Sequence, residues 1–369
     1  MKNEESFQVV KYSKIYLEDV KELWKEIYDS EQMGNRELLF TWLTEHNPCI
    51  EDDSPYYLLL EKNKVIGMVG YMPLDFTIQG KAKRGYMSHD TYLAKQYRGK
   101  GLGKILLQGI KGQSSGLAGA IWFNEHNHYL YLKSGWKDVQ GFNPFLKIFD
   151  PYPFIKRKSA NNMLSTILSR LIKIGLCILN IPLNILKFYT FKDIKIVEVN
   201  KFGEDIHAFF NSISNHFGII VTRDQKYLNW KFISKPFNKY KKFIAYDADG
   251  ILSGYVVMKK DNHNGYVRGT ILDILVDPSK PKVFQALICK CIEYLNKFKS
   301  SHIEIMCTYP LFIREIKKLG FIRSKTTQPF MVSNWEKQYS TGYISNIQNW
   351  YLTYSEADGD AWEADLFEE

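Results

Sequence analysis

Two landmarks recur along this 369-residue chain at almost one separation. Ile66-Gly67 is matched by Ser253-Gly254, 187 residues on, and Gly135-Trp136 by Gly320-Phe321, 185 residues on. Each copy is of domain size, so the chain reads as two domains of one architecture, each long enough to bury its own core.

In the first copy, apolar periodicity predicts a strand at 8–12, helices at 17–28 and 36–45, and a hairpin with arms 57–61 and 65–71 turned by Asn63-Lys64. A strand at 86–93 follows, then a helix bearing Leu102, Ile105, Leu106 and Ile110, a strand at 118–123, a short helix bearing Tyr131, and a last strand near 143–149. The second copy is fainter. Its hairpin segment falls at 246–258, its next strands at 270–276 and 303–307, and the helix between them is striped by Val283, Leu287, Cys291, Tyr294, Leu295 and Phe298.

The join between strand 86–93 and its helix reads Arg98-Gly99-Lys100-Gly101-Leu102-Gly103-Lys104. Glycines let the backbone turn sharply and approach a ligand, and a fresh helix start offers unpaired NH groups at the positive end of its dipole. With three cations around it, the loop suits pyrophosphate. It is not a P-loop, because Ile105 follows Gly103-Lys104 where Ser or Thr would hold magnesium. Nor is it a dinucleotide fingerprint, since Lys104 breaks the glycine spacing.

Arg98, Gly101 and Gly103 resemble motif A of the GNAT superfamily of acyl-CoA-dependent acetyltransferases, Gln/Arg-x-x-Gly-x-Gly/Ala after the fourth strand. The family's downstream signature, an Asn followed seven positions on by Tyr and then by a Gly-aromatic pair, is matched by Asn124, Tyr131 and Gly135-Trp136. Asn127 stands where a small residue is common, and Trp136 replaces the usual Phe. The resemblance spans about residues 6–149.

It implies a wedge between the fourth and fifth strands, with the pantetheine arm of acetyl-CoA pairing along Thr91, Tyr92 and Leu93. The pyrophosphate would sit on Arg98, Gly99, Lys100, Gly101, Leu102, Gly103 and Lys104. Asn124 would bond pantetheine amides, cap the next helix, or do both. Tyr131 matches the position that protonates the departing thiolate. The acceptor ammonium must lose a proton before attack, and Asp90 is the first candidate base, with His89, Glu125 and His126 as alternatives. Acetyl-CoA is the implied co-substrate, and no metal is implied.

The loop equivalent to this cradle in the second copy, Asp277-Pro278-Ser279-Lys280-Pro281, has no glycine and two residues without a backbone NH. That half is expected not to bind CoA and resembles a degenerate GNAT domain. It would complete the acceptor pocket, form an oligomer interface, or stabilise the first half. Arg223, Tyr227, Asn229 and Trp230 read as core and capping residues, with a binding surface as the alternative.

Seven acidic residues fall between Glu356 and Glu369, and removing them from the net charge of +9 leaves +16 on the rest. Such a body suits anionic ligands, nucleic acid or an anionic membrane face. No nucleic-acid-binding signature accompanies the charge, and nucleic acid is not expected. Five scattered cysteines and a polar N-terminus point to a cytoplasmic protein. Cys289 and Cys291 would point to different helix faces, which disfavours a metal. The run 174–186 holds Asn180, Pro182 and Asn184 and is too short to span a bilayer. The linker 151–195 is expected to form a connecting helix packed between the halves; an amphipathic helix lying on an anionic surface, with peripheral membrane contact through 163–189, is the alternative.

The expected fold is α/β (α+β), two GNAT-like domains, each a mixed, mainly antiparallel twisted sheet flanked by helices. The expected division is a GNAT domain at 1–150, a helical linker at 151–195, a degenerate GNAT-like domain at 196–335, and a C-terminal segment with an acidic tail at 336–369. The whole is similar to bacterial tandem acetyltransferases of surface-polysaccharide synthesis, which implies a nucleotide- or lipid-linked amino sugar as acceptor. An aminoglycoside, peptide or protein amine is the alternative within enzymes, and a non-catalytic acyl-CoA-binding module the alternative outside them.

Overall fold

The computed structural model describes residues 7–50, 54–109, 116–156, 163–175, 191–237, 239–263, 265–335 and 337–356. The acidic tail beyond Glu356 and most of the run 174–186 lie outside them.

Two mixed sheets organise the chain, with helices packed on their faces. The first sheet begins with β1 (Phe7–Lys11), β2 (Tyr56–Glu61), β3 (Lys64–Ile78), β4 (Lys81–Leu93) and β5 (Leu117–Ile121) in that order, β4 and β5 parallel and the others antiparallel. Its strands β2, β3 and β5 are buried on both faces. Tyr56, Leu58 and Leu60 point to a core shared with helices α1 (Leu17–Trp24) and α2 (Ser30–Glu45), while Tyr57 and Leu59 point to a second core with α3 (Leu102–Gly109) and α4 (Glu125–Lys133). That alternation is the period of a strand, and burial on both faces explains why β2 reads as a continuous apolar run.

Local chemistry sets the ends. Helix α2 starts six residues before the predicted position because Asp29 and Gln32 form a reciprocal capping box, a device worth about 1 kcal/mol. The β2–β3 turn is centred on Lys62 and Asn63, whose φ values are 49° and 68°, rather than on Asn63-Lys64. Two left-handed residues give the turn the twist a two-residue hairpin needs.

The largest departure from expectation concerns the strand near 143–149. It forms as β7 (Phe145–Ile148), but it leaves its own half. After β6 (Lys137–Phe142), the chain crosses so that β7 pairs with β13 (His302–Ile305) and β14 (Ile322–Arg323) of the second sheet. In return, β15 (Gln328–Asn334) inserts between β5 and β6 of the first. The remainder of the second sheet, β8 (Lys195–Glu198), β10 (Lys241–Tyr246), β11 (Leu252–His263) and β12 (Tyr266–Val276), repeats the first in order. Short strand β9 (Ile219–Val221) joins the distal end of β3 and pairs with β16 (Trp350–Tyr351). Both sheets are therefore built from both halves.

Helices α7 (Asp205–Ile213), α8 (Gln225–Phe232), α9 (Pro281–Lys297) and α10 (Pro310–Lys318) pack on the second sheet and its flanks, after α5 (Tyr152–Lys156) and α6 (residues 163–175) of the connecting region. Helix α6 leaves its large apolar residues exposed and buries Ser165 and Ser169. Trp42 of α2 and Trp230 of α8 stack at 4.5 Å, and each indole NH donates to the other's carbonyl oxygen, at 3.1 and 3.4 Å. Arg223, Tyr227 and Trp230 are buried, and Asn229 bonds the backbone of Phe202, so this group belongs to the core.

Candidate active site

Strands β4 and β5 pair only as far as Ser88 and Ala120. Beyond that point β4 keeps β3 on one side and, among the described residues, has no strand partner on the other. The free edge carries Thr91, Tyr92 and Leu93. Tyr131 of α4 closes the base of this wedge: its hydroxyl lies 2.8 Å from Ser88 Oγ and 3.4 Å from Thr91 Oγ1. Trp136 and Phe123 hold its ring at 4.7 and 5.5 Å between centroids.

The glycine loop reaches the surface at the C-terminal end of β4. Gly99 and Gly101 take φ of 75° and 78°, and a Cβ on either would meet nothing within 4 Å. Gly103 serves another purpose, since a Cβ there would stand 3.1 Å from Leu130, so its bareness lets α3 pack on α4. The Arg98 guanidinium lies over Tyr92 at 5.0 Å and donates to Leu93 O at 2.9 Å. Lys100 lies over Tyr97 at 5.4 Å. Lys104 is exposed on the first turn of α3. Glu26 ties the approach by accepting from the Tyr92 hydroxyl and the Lys95 NH. Asn124 caps α4, its side-chain oxygen accepting from Asn127 NH at 2.9 Å.

Asp90 occupies a β-bulge, where Val69 of β3 faces two residues of β4. Its φ is 46°, a left-handed conformation that costs a non-glycine residue on the order of 1 kcal/mol. Its partners hold it there. The carboxylate accepts from the Arg36 guanidinium, from the Tyr56 hydroxyl at 2.6 Å, and meets His89 Nδ1 at 3.0 Å. Burial alone would raise the Asp90 carboxyl, but Arg36, then His89 and Tyr56, outweigh it and hold the group far below the usual carboxylate range. The His89 ring lies against Gly70, where any Cβ would collide with it, and its Nε2 is buried with no hydrogen-bond partner among the described residues. Glu125 and His126, the other candidate bases, are exposed on the first turn of α4.

A cleft of about 240 Å³ opens beside this network, lined by Trp24, Tyr28, Arg36, Asp90, Thr91 and Tyr92, with Asn127 of α4 at its rim. A larger depression of about 670 Å³ at Lys192, Tyr246 and Asp247 contains none of the motif residues. Sequence reasoning missed Arg36, Tyr56 and Ser88. Arg36 left a signal, because it falls on the apolar stripe completed by Leu39, Phe40 and Leu43.

The second sheet repeats the centre and closes it. Asp273 stands five residues after the first β12 residue paired to β13, as Asp90 stands five after the first β4 residue paired to β5. It too meets a buried arginine, Arg223, and a tyrosine hydroxyl, Tyr255 at 2.6 Å. Here, however, residues 350–356 fill the space. Thr308 donates to Trp350 O, Leu352 NH donates to Thr308 Oγ1 at 2.9 Å, Thr353 Oγ1 donates to Asp273 at 2.9 Å, and Glu356 accepts from Arg223.

Residues 17–136 match the family model described as Acetyltransferase (GNAT) family. No curated protein matches the chain in sequence. Solved structures do match in fold. A GCN5-related N-acetyltransferase from Anabaena variabilis superposes with a TM-score of 0.59 at 11% identity, over 89% of this chain and 73% of its own. A probable N-acyltransferase from Enterococcus faecalis gives 0.57 at 15% identity, over 90% and 73%. Saccharomyces cerevisiae N-myristoyltransferase with bound myristoyl-CoA gives 0.53 at 14% identity, over 90% and 80%. The segment 17–136 is thus a GNAT acetyltransferase domain, set in a two-sheet chain whose fold is shared with these acyltransferase structures.

Proposed function

We infer that the chain is an acyl-CoA-dependent N-acetyltransferase whose reaction runs in the β4–β5 wedge of the first sheet. The observation that carries this reading is the conjunction of the free β4 edge, the open left-handed glycines at 99 and 101, and the Tyr131 hydroxyl at the wedge base. Acetyl-CoA fits that frame. The exposed loop and the start of α3 would hold its pyrophosphate, with Arg98, Lys100 and Lys104 around it, and Thr91, Tyr92 and Leu93 would pair with pantetheine. Asn124, already oriented as a cap, has its amide nitrogen left for the same arm.

The amine nitrogen attacks the thioester carbonyl carbon, a β4 backbone NH stabilises the oxyanion, and the carbon–sulfur bond breaks as Tyr131 gives its proton to the thiolate. The ion pair with Arg36 argues against Asp90 as the group that takes the amine proton. His89, Glu125 and His126 are the alternative acceptors, His89 being oriented through Nδ1 by Asp90 with its Nε2 buried, and Glu125 and His126 being exposed on α4. The small cleft suits a short acyl group, and its aromatic faces with Arg36 and Asn127 suit a sugar ring, so an amino sugar is the proposed acceptor. The second half is read as a degenerate tandem copy, its wedge filled by the chain's own residues 350–356.

Acetyl-CoA titration by calorimetry, followed by thiol release over a panel of amino sugars, peptides and aminoglycosides, tests the reading. Gly101→Glu should abolish binding, whereas Gly101→Asn, which tolerates the left-handed backbone, should retain it. Tyr131→Phe should bind normally and turn over roughly 10²-fold more slowly. Binding without thiol release on any amine would leave a non-catalytic acyl-CoA module.

A further inference from the structure

Helix α6 is inverted in polarity. Ser165 is fully buried and Ser169 nearly so, whereas Met163 is 74% and Leu171 62% exposed. At 3.6 residues per turn, Leu164, Leu168 and Leu171 form one outward row, with Ile167 and Ile174 beside it. An apolar patch of this extent on a single exposed helix marks an interaction surface. Arg170, exposed, borders this face beside Ile167 and Ile174, and Lys173, also exposed, lies further round the helix on the flank next to the buried serines.

The sign of the surrounding charge selects the partner. From 151 to 192 the chain carries seven Lys or Arg and no Asp or Glu, an unbroken positive stretch rich in Leu and Ile. Apolar side chains bordered by cations match the two layers of an anionic lipid surface, where acyl chains lie below phosphate-bearing headgroups. The described helix is roughly 20 Å long, short of the ~30 Å bilayer core. No helix among the described residues is long and apolar enough to cross a membrane. On such a surface a helix of this length would lie flat.

We propose that α6 docks the protein on an anionic membrane. Leu164, Leu168 and Leu171 enter the boundary between headgroups and acyl chains, Arg170 extends its stem along the apolar surface to reach lipid phosphates, and Lys173 adds positive charge from the helix flank. This surface is separate from the β4–β5 wedge, and the proposal stands whether or not acyl transfer is demonstrated.

Flotation of the full chain with vesicles of phosphatidylcholine alone, or of phosphatidylcholine with phosphatidylglycerol, reads the proposal directly. The protein should float with the mixed vesicles, remain below with the neutral ones, and be released as salt is raised. Arg170→Glu with Lys173→Glu should weaken partitioning by about tenfold or more, and Leu168→Asp with Leu171→Asp should abolish it. Retained acetyl-CoA binding, or an unchanged circular dichroism spectrum, would show these variants folded. Failure of the wild type to float with anionic vesicles, or equal flotation with both compositions, would overturn the assignment. So would sedimentation showing that the leucine row instead joins two copies of the chain.

Discussion

Asp90 and Arg36 show how much of the site rests on one buried pair. Arg36 is 2% exposed, and removing its counter-ion would strand a charge in the core. Asp90→Asn, which preserves shape and tolerates the left-handed backbone, should therefore cost about 3–5 kcal/mol in urea unfolding. The Asp90 carboxyl is held below its unfolded value of about 3.9, so its contribution is complete above that pH and drains away as pH falls further. Stability measured from pH 6 downward should fall less steeply in Asp90→Asn than in the wild type; parallel curves would show that the pair does not govern acid sensitivity. The sequence disclosed this centre only partly. Asp90 was legible as a carboxylate just ahead of the glycine loop, but its partners arrive from α2 and β2, 54 and 34 residues away in sequence, and no periodicity reports such a meeting. Arg36 could have been suspected from its place among Leu39, Phe40 and Leu43.

At the scale of elements, strand positions were readable and strand partners were not. An apolar run fixes that 145–148 will be a strand, whereas the choice of neighbour depends on which edge remains open when the chain arrives. The repeat itself concealed the exchange, because β7 and β15 occupy equivalent places in the two copies and each sheet accepts the other's strand. Lys147 at the centre of β7 gives that exchange a measurable signature. Its ammonium donates to Leu319 O at 2.7 Å and lies over the Phe321 ring, and burial draws its pKa down to about 8. The unfolded lysine titrates near ~10.4, so between these values the unfolded chain binds more protons and folding stability gains from rising pH. Relative to Lys147→Met, the wild type should gain stability from pH 8 to 10 in denaturant titrations. A difference that stays flat over that range would place the ammonium in solvent and β7 outside the second sheet.

For the whole molecule, exchange of strands converts two sequence halves into one cooperative object. The first sheet needs β15 to satisfy the backbone of β5 on one side and β6 on the other, and Phe330, Met331 and Val332 bring buried side chains that no residue before 150 replaces. The reciprocal stacking of Trp42 on Trp230 adds an apolar contact that neither half can make alone. A fragment ending at residue 150 would carry an unpaired, apolar edge at β5, the arrangement that templates aggregation. It should be insoluble or lack fixed tertiary structure, although it contains every residue proposed to bind acetyl-CoA. The intact chain should unfold in a single calorimetric transition whose calorimetric and van't Hoff enthalpies agree. Two resolved transitions, or a soluble 1–150 fragment that binds acetyl-CoA, would mean that each half folds on its own. In that case the exchanged strands would be an ornament of the fold rather than what holds the wedge open.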